Sequence, residues 1–323
     1  MPERLQLGHD RIYGEHSTEI PVIKDLIQSP SLQRLKGINQ FGIPDEFYHL
    51  KNFSRYEHSI GTMLLLKNLG ASEEEQVAGL LHDISHKAFS HIYDWVISDY
   101  KNASTKEESH DEGHVDFINN SELAEVLELH GYSVERVADH HRFGLLERDR
   151  PDLCADRVDY SLRELNPNMA IDILDDFVNF DGQIACNDSE TAAKFGRAFL
   201  SLQTDHWGGY ESAARYHQFA STLTRALSIG AVSLEDFDKD DNHIVDKLNS
   251  SSDHEIVERL NYLRQRALPA VGEGVIVYKK FRHIDPPFLT DEGLVHLSEA
   301  DTKFKSSLEE AREDNRCGVL VAE

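Results

Sequence analysis

Apolar residues recur along most of this chain at the three- and four-residue spacing of buried helical stripes. Val77, Leu80, Leu81 and Ile84 stand at i, i+3, i+4 and i+7, and Ser72 with Glu75 forms a capping-box pattern just upstream. Together they predict a helix running into a turn near Asp94, with Gly79, His82, Asp83 and His86 on the side away from the stripe. A second capping pattern, Ser54 with Glu57, predicts a helix through Leu69 that Gly70 ends. On it Arg55, His58 and Thr62 share a face while Met63 to Leu66 supply core. Weak alternation in residues 1–20, with Gly8 and Gly14, predicts strands or a loose hairpin. Val22 to Gln28 reads as a short helix ended before Pro30. Leu32, Leu35, Ile38 and Phe41 give another helical stripe, stopped by Gly42 and Pro44.

The same spacing predicts helices at Trp95 to Tyr100, His110 to Ile118, Glu122 to Leu129 and Val134 to His140, with Lys101 to Glu108 a polar loop. Helix resumes from about Asp152. There Asp156, Asp159, Tyr160 and Arg163 lie opposite Val158 and Leu162, a face equally compatible with solvent. Long helical patterns follow at Ala192 to Leu202 and Tyr210 to Ile229, with two more within 242–268. From Gly272 the pattern changes. Val275 to Tyr278 and Gly318 to Val321 are strand-like, and Leu308 to Glu313 is helical. The expected fold is mainly α: a helical body over 1–269, with its chemistry within about 30–165, and a small α+β appendage over 270–323.

The 323 residues are 40% hydrophobic, enough for a large core, and carry 33 Lys and Arg against 58 Asp and Glu, a net charge of −25. That balance argues against nonspecific binding to nucleic acid or to an anionic membrane. It leaves room for a small phosphorylated ligand in a local basic or metal-bearing pocket. Cys154, Cys186 and Cys317 form neither a zinc spacing nor a disulfide framework. No apolar run approaches 18 residues and the N-terminus lacks a signal-peptide pattern, so a cytoplasmic protein is expected.

Imidazoles and carboxylates bind divalent metals. A lone His-Asp pair on a helix is usually a solvated face. Here His82 and Asp83 have company: His58 on the preceding helix and Asp156 on a later one. Two imidazoles and two carboxylates on packed helices suit Mn, Fe, Ni or Mg, and Zn less well. On an octahedral ion they leave two positions for water and a phosphate oxygen, the arrangement for metal-assisted hydrolysis.

This H…HD…D order resembles the signature of the HD-domain superfamily, and four ordered blocks narrow the resemblance. Asp10-Arg11-Ile12-Tyr13-Gly14 is similar to D-P-I-H-G. Ser29 through Gly42 is similar to T-P-x-F-Q-R-L-R-x-I-K-Q-L-G, Ser54 through Gly61 to x-R-F-E-H-S-L-G, and Ala155 through Tyr160 to A-D-R-x-D-Y. Their order and spacing resemble the SAM-and-HD-domain deoxynucleotide triphosphohydrolases and bacterial dGTPase-like proteins through about residue 165. The resemblance implies His58, His82, Asp83 and Asp156 as metal ligands. It implies His86 and His110 as catalytic histidines near the scissile phosphate, with Asp94 supporting a catalytic histidine. His91, Arg55 and Arg157 would hold phosphates, Gln40 the sugar 3′-hydroxyl, and Tyr160 would wall off the sugar. The implied reaction is attack of water on the α-phosphorus of a dNTP, releasing deoxynucleoside and triphosphate from a homo-oligomeric enzyme.

Some positions depart from that pattern. Gln28 and Lys36 stand where relatives with a nucleotide allosteric site carry Asp and Arg, so activation by GTP is not implied. Phe41 replaces a Leu that helps exclude a 2′-hydroxyl. Two other functions remain open: hydrolysis of nucleoside monophosphates or other phosphate esters, and nucleotide binding without turnover. His140-His141 resembles the paired histidines of two-metal HD proteins, without the rest of that pattern. His114 is expected on an exposed helix face, and His130, His206, His217, His243, His254, His283 and His296 on the surface.

Overall fold

The computed structural model describes residues 5–48, 53–98 and 113–323. The N-terminal segment is an antiparallel hairpin of β1 (Leu5–Asp10) and β2 (Gly14–Thr18). A helix over Pro21–Gln28 follows, and then the expected Leu32–Phe41 helix is cut short. Helix covers only Pro30–Arg34, a 3-10 turn covers Leu35–Gly37, and Asn39 is extended, bridging Ser54. Tertiary contacts override the apolar spacing here: Gly37 passes against the Asp240 side chain, and Asn39 bonds to Asp241.

The helix Arg55–Asn68 is the centre of the body. Its Ser54–Glu57 capping box is complete, and every residue from His58 to Leu66 is buried. A helix covered on all sides must be a core element. It packs against the helix Glu73–Leu81 and the helix Ala155–Glu164. Gly61 permits the second contact, because a Cβ there would lie 2.0 Å from Asp159 Oδ1. The predicted capping box at Ser72 is only half formed. Ser72 Oγ accepts the Glu75 N–H, but the Glu75 carboxylate accepts the Leu145 and Leu146 N–H groups instead of returning to the cap.

The long helices after residue 188 cover Ser189–Ser201 and Tyr210–Ser228, joined by a π-helical turn over Leu202–Trp207. Such turns displace side chains from the regular helical faces, and this one delivers Trp207 to the site described below. A four-stranded sheet was not anticipated. It has the order β3 (Phe177–Phe180), β4 (Gln183–Cys186), β6 (Pro287–Thr290), β7 (Gly293–His296), with β4 and β6 parallel. Four-residue strands carry too little alternation to read, and their pairing spans a hundred residues of chain. Through β4 and β6 the C-terminal segment shares a sheet with the body. The expected strands β5 (Val275–Val277) and β8 (Val319–Val321) pair antiparallel, and the helix between them runs over Thr302–Arg316. Among the described residues no helix is long and apolar enough to cross a membrane.

Candidate metal centre and cavity

The Glu73–Leu81 helix stops at the residues that matter. His82 is its C-cap, and tight turns follow, with Ile84 N–H donating to Leu81 O and His86 N–H to Asp83 O. His82 Nδ1 lies 2.7 Å from the Gly79 carbonyl, and His58 Nδ1 lies 2.7 Å from Asp159 Oδ2. Both acceptors assign the ring proton to Nδ1, which leaves the two Nε2 lone pairs facing inward. Those two atoms are 3.1 Å apart. Asp156 Oδ1 is 2.9 Å from His58 Nε2 and 3.5 Å from His82 Nε2, and Asp83 Oδ2 is 3.6 Å from each.

His58, His82 and Asp156 offer three ligand atoms close enough to share one metal ion, with Asp83 Oδ2, held by Arg55, beside them. Ligands about 2.1 Å from an ion at right angles would be separated by about 3.0 Å, so the set fits one divalent metal. The electrostatics agree. Burial alone would lower the pKa of His82, but the Asp83 and Asp156 carboxylates override it and raise it to about 9. Burial would raise that of Asp83, but Arg55, His82 and His86 reverse this and hold it well below the usual carboxylate range. A second group, Glu147, Cys154 and Asp156, also comes together. It is poorer for a metal: Glu147 is ion-paired to Arg157 at 3.2 Å, and burial pushes the Cys154 thiol up, so it stays protonated.

Arg55, 1% exposed, braces the centre. It bonds to Asp83 Oδ2 and donates through Nε to Ser90 Oγ at 2.7 Å, while its Nη2 has no hydrogen-bond partner. Beside the centre opens a cavity of about 530 Å³, within the usual range for small-molecule sites. His86 and His91 line it, their rings edge-on at 5.2 Å. His86 Nε2 is 3.2 Å from Asp83 Oδ1, and His91 Nδ1 is 3.4 Å from Asp94 Oδ2, so Asp94 stands beside His91. Gln40 lines the cavity with a buried Oε1 that lacks a partner. Tyr160 forms a wall with Trp207, ring centres 5.4 Å apart. Arg157 lines the cavity but is held to its wall, donating to Asp152 O, Arg148 O and Glu147. His110 lies outside the described residues.

Several expectations are corrected. His114 is 4% exposed, not on an open helix face; its ring packs 4.8 Å from that of His140, and both line the cavity. Burial holds His114 at about 4 and His140 at about 3, so both are neutral near pH 7. Neither joins a cluster of three ligands among the described residues, so the two-metal pattern stays incomplete. His217 is buried rather than on the surface. On the Ala155–Glu164 helix, whose polar face was equally compatible with solvent, Asp159 and Arg163 are buried and bond to Asp10 and Tyr13 of the hairpin, while Asp156 and Tyr160 stay partly exposed.

Sequence reasoning missed the cavity's other wall. Lys279, Lys280 and Arg282 reach it from the C-terminal segment, next to Arg148 and Arg150. Arg150 Nη1 donates to Phe281 O at 3.2 Å, joining the two stretches. Lys279 sits 3.0 Å over the Tyr216 ring. The basic run from 279 to 282 in so acidic a chain was the available signal.

Two imidazoles and two carboxylates thus lie together beside a polar cavity on a helical scaffold. The HD domain model matches residues 55–164. The uncharacterized protein YdhJ of Bacillus subtilis is 35% identical over 97% of both chains. The metal-dependent phosphohydrolase cns2 of Cordyceps militaris is 32% identical, covering 70% of this chain and 68% of that one. Human deoxynucleoside triphosphate triphosphohydrolase SAMHD1 is 28% identical over 40% of this chain and 23% of its own. The fold matches that of a Bacteroides thetaiotaomicron phosphohydrolase at a TM-score of 0.67 and 18% identity, covering 93% of this chain and 95% of that one. The chain belongs to the HD-domain family of metal-dependent phosphohydrolases.

Proposed function

We propose that the protein is a dNTP triphosphohydrolase, converting dNTP and water to deoxynucleoside and triphosphate. The observation that carries this reading is the charge of the cavity. Among the described residues its wall holds seven Arg and Lys against six carboxylates, in a chain with 33 and 58. Its cations are gathered from segments far apart in sequence, as a polyphosphate requires.

In this reading His58, His82, Asp83 and Asp156 hold one divalent ion, Mn, Fe, Ni or Mg. When bound, that ion polarises a phosphoryl oxygen and lowers the pKa of water. Arg55 keeps Asp83 ionised and offers its Nη2 to phosphate. Asp94 beside His91 Nδ1 orients that ring against the α-phosphate and supports the acid-base step at the departing sugar oxygen. His86, and His110 as the sequence resemblance implies, complete the acid-base set near the scissile phosphate. Gln40 Oε1 accepts from the 3′-hydroxyl, and Tyr160 with Trp207 closes off the sugar. Arg157 anchors the phosphate-side wall. The enzyme acts as a cytoplasmic homo-oligomer. A second reading, hydrolysis of another phosphate ester, draws support from cns2, whose similarity covers more of the chain than that of SAMHD1.

Product analysis by mass spectrometry tests both. The protein is loaded with Mn, Mg or Fe and given each dNTP, NTP and nucleoside monophosphate. Deoxynucleoside with intact triphosphate is expected. Stepwise phosphate loss, or turnover of monophosphates alone, would replace the first reading with the second.

A further inference from the structure

The turn that carries His91 is held from outside the HD domain. Asp241 opens the helix Asp241–Asn249, 152 residues beyond Phe89 and past the matched region 55–164. Its side chain is fully enclosed, at 1% exposure. Oδ1 accepts the Phe89 N–H at 2.7 Å. Oδ2 accepts the Asn39 N–H at 2.8 Å and Asn39 Nδ2 at 3.0 Å. One carboxylate thereby bridges the residue before Gln40 to the residue two before His91. Ser90 closes the loop, its hydroxyl donating to Asn39 O at 2.8 Å and accepting from Arg55 Nε.

The bridged turn is strained. Phe89 has φ 62° and Ser90 φ 50°, a region that residues with side chains avoid. Two such residues in succession persist only where their surroundings over-determine them. The stretch around Asp241 does this. Ala88 N–H donates to Phe237 O at 2.9 Å, and Lys87 pairs with Asp238. Arg34 ties Lys239 O to Ile84 O and His86 O on the other side of the turn. Gly42 lies so close that a Cβ would stand 2.5 Å from Phe89 O.

We infer that Asp241 is a positioning residue of the hydrolytic site: its carboxylate sets the separation between the Gln40 segment and the His91 turn, and so holds sugar and phosphate at one working distance. This rests on the triphosphohydrolase reading for the roles of Gln40 and His91. The cost of the arrangement is visible. Burial outweighs its three donors and pushes the carboxylate up to about 7, so ionising Asp241 in the folded state costs stability. A core-filling apolar residue at this position would avoid that cost but could not bridge two N–H-bearing loops.

The test is Asp241→Asn in the full chain. The amide keeps one acceptor oxygen and turns an NH2 toward the remaining donor, so one arm of the bridge opens. Four quantities are measured: metal content, hydrogen exchange by peptide, inhibition by inorganic tripolyphosphate, and kcat and KM on the best substrate of the product panel. The expected result is full metal content and unchanged exchange over 58–66 and 155–164. Exchange over 38–41 and 87–91 rises at least tenfold, and kcat/KM falls ~100-fold, the scale of a misplacement of about 1 Å. Tripolyphosphate, which has no sugar, inhibits within threefold of wild type. Unchanged exchange at both segments, a kcat/KM within threefold of wild type, or loss of metal in step with activity overturns the proposal. If no phosphate ester is turned over by wild type, the functional reading fails, and hydrogen exchange still decides the bridge. Should Asp241→Asn not fold, Asn39→Ala removes only the Nδ2 bond and is expected to give the same pattern at ~3–10-fold.

Discussion

Asp159 touches no candidate metal ligand except through the far nitrogen of His58, and this makes its replacement informative. The carboxylate is fully buried and accepts from Tyr13 OH at 2.7 Å and Arg163 Nε at 2.9 Å while facing His58 Nδ1 at 2.7 Å. Burial would raise its pKa, but Arg163 and His58 hold it below the ordinary value, so it is charged at neutral pH. Asp159→Ala frees the His58 ring to rotate or change tautomer and removes the charge that raises its basicity. Outer partners of this kind are worth about 10–100-fold in metal affinity, or ~1.4–2.7 kcal/mol. Arg163 loses one of two buried carboxylates, but Asp10 remains at 2.8 Å. The stability loss should therefore sit near the low end for breaking a buried pair, about 3 kcal/mol. Asp159→Asn keeps an acceptor for His58 and should lose less metal affinity than Asp159→Ala. Calorimetric titration with Mn gives the affinity, and denaturant unfolding of metal-free protein gives the stability. An Asp159→Ala protein that is destabilised yet binds Mn as wild type does would refute the reasoning, for it would show that His58 is oriented by packing alone.

Two further outcomes follow from single groups. Gly61→Ala should destabilise by about 3 kcal/mol or more despite the ~1 kcal/mol that alanine contributes to a helix. Its Cβ would lie 2.0 Å from Asp159 Oδ1 and 2.1 Å from Arg163 Nη2, both immobile; a neutral or stabilising result in denaturant unfolding would show that the two helices can separate freely. Asp241 predicts a pH effect on stability. Its native pKa, about 7, lies above the ordinary value of 3.8. The folded state therefore keeps a proton that the unfolded state releases, and this stabilisation, complete below pH 4, is lost as pH rises through 7. The stability of wild type relative to Asp241→Asn should fall by about 3 kcal/mol from pH 5 to pH 8; a constant difference between them would contradict it.

Much of the candidate site was legible in the sequence because the residues that converge there sit in local patterns. His82 and Asp83 adjoin each other. His58 follows four residues after its cap at Ser54, and Asp156 opens a helix with a clear apolar face. Side-chain type and helical period suffice to propose that such residues share a centre. The same locality explains the helices whose ends were anticipated, such as Glu122–Leu129, where caps and stripe agree.

What the linear pattern could not decide is everything that depends on a competing partner far along the chain. The Leu32–Phe41 stripe reads as helix, yet Asp240 and Asp241 reshape its end. Glu75 fits a capping box, yet Leu145 and Leu146 take its carboxylate. Arg163 and Asp159 look like a solvated face until the N-terminal hairpin closes over them. The cations at 279–282 have no local reason to meet Arg148 and Arg150; the contact exists because Arg150 reaches Phe281 O and β4 pairs with β6. Local spacing determines which faces a segment can bury. Which polar groups meet there is settled by burial, since an enclosed donor or charge is costly unless the fold brings it a partner, from wherever along the chain.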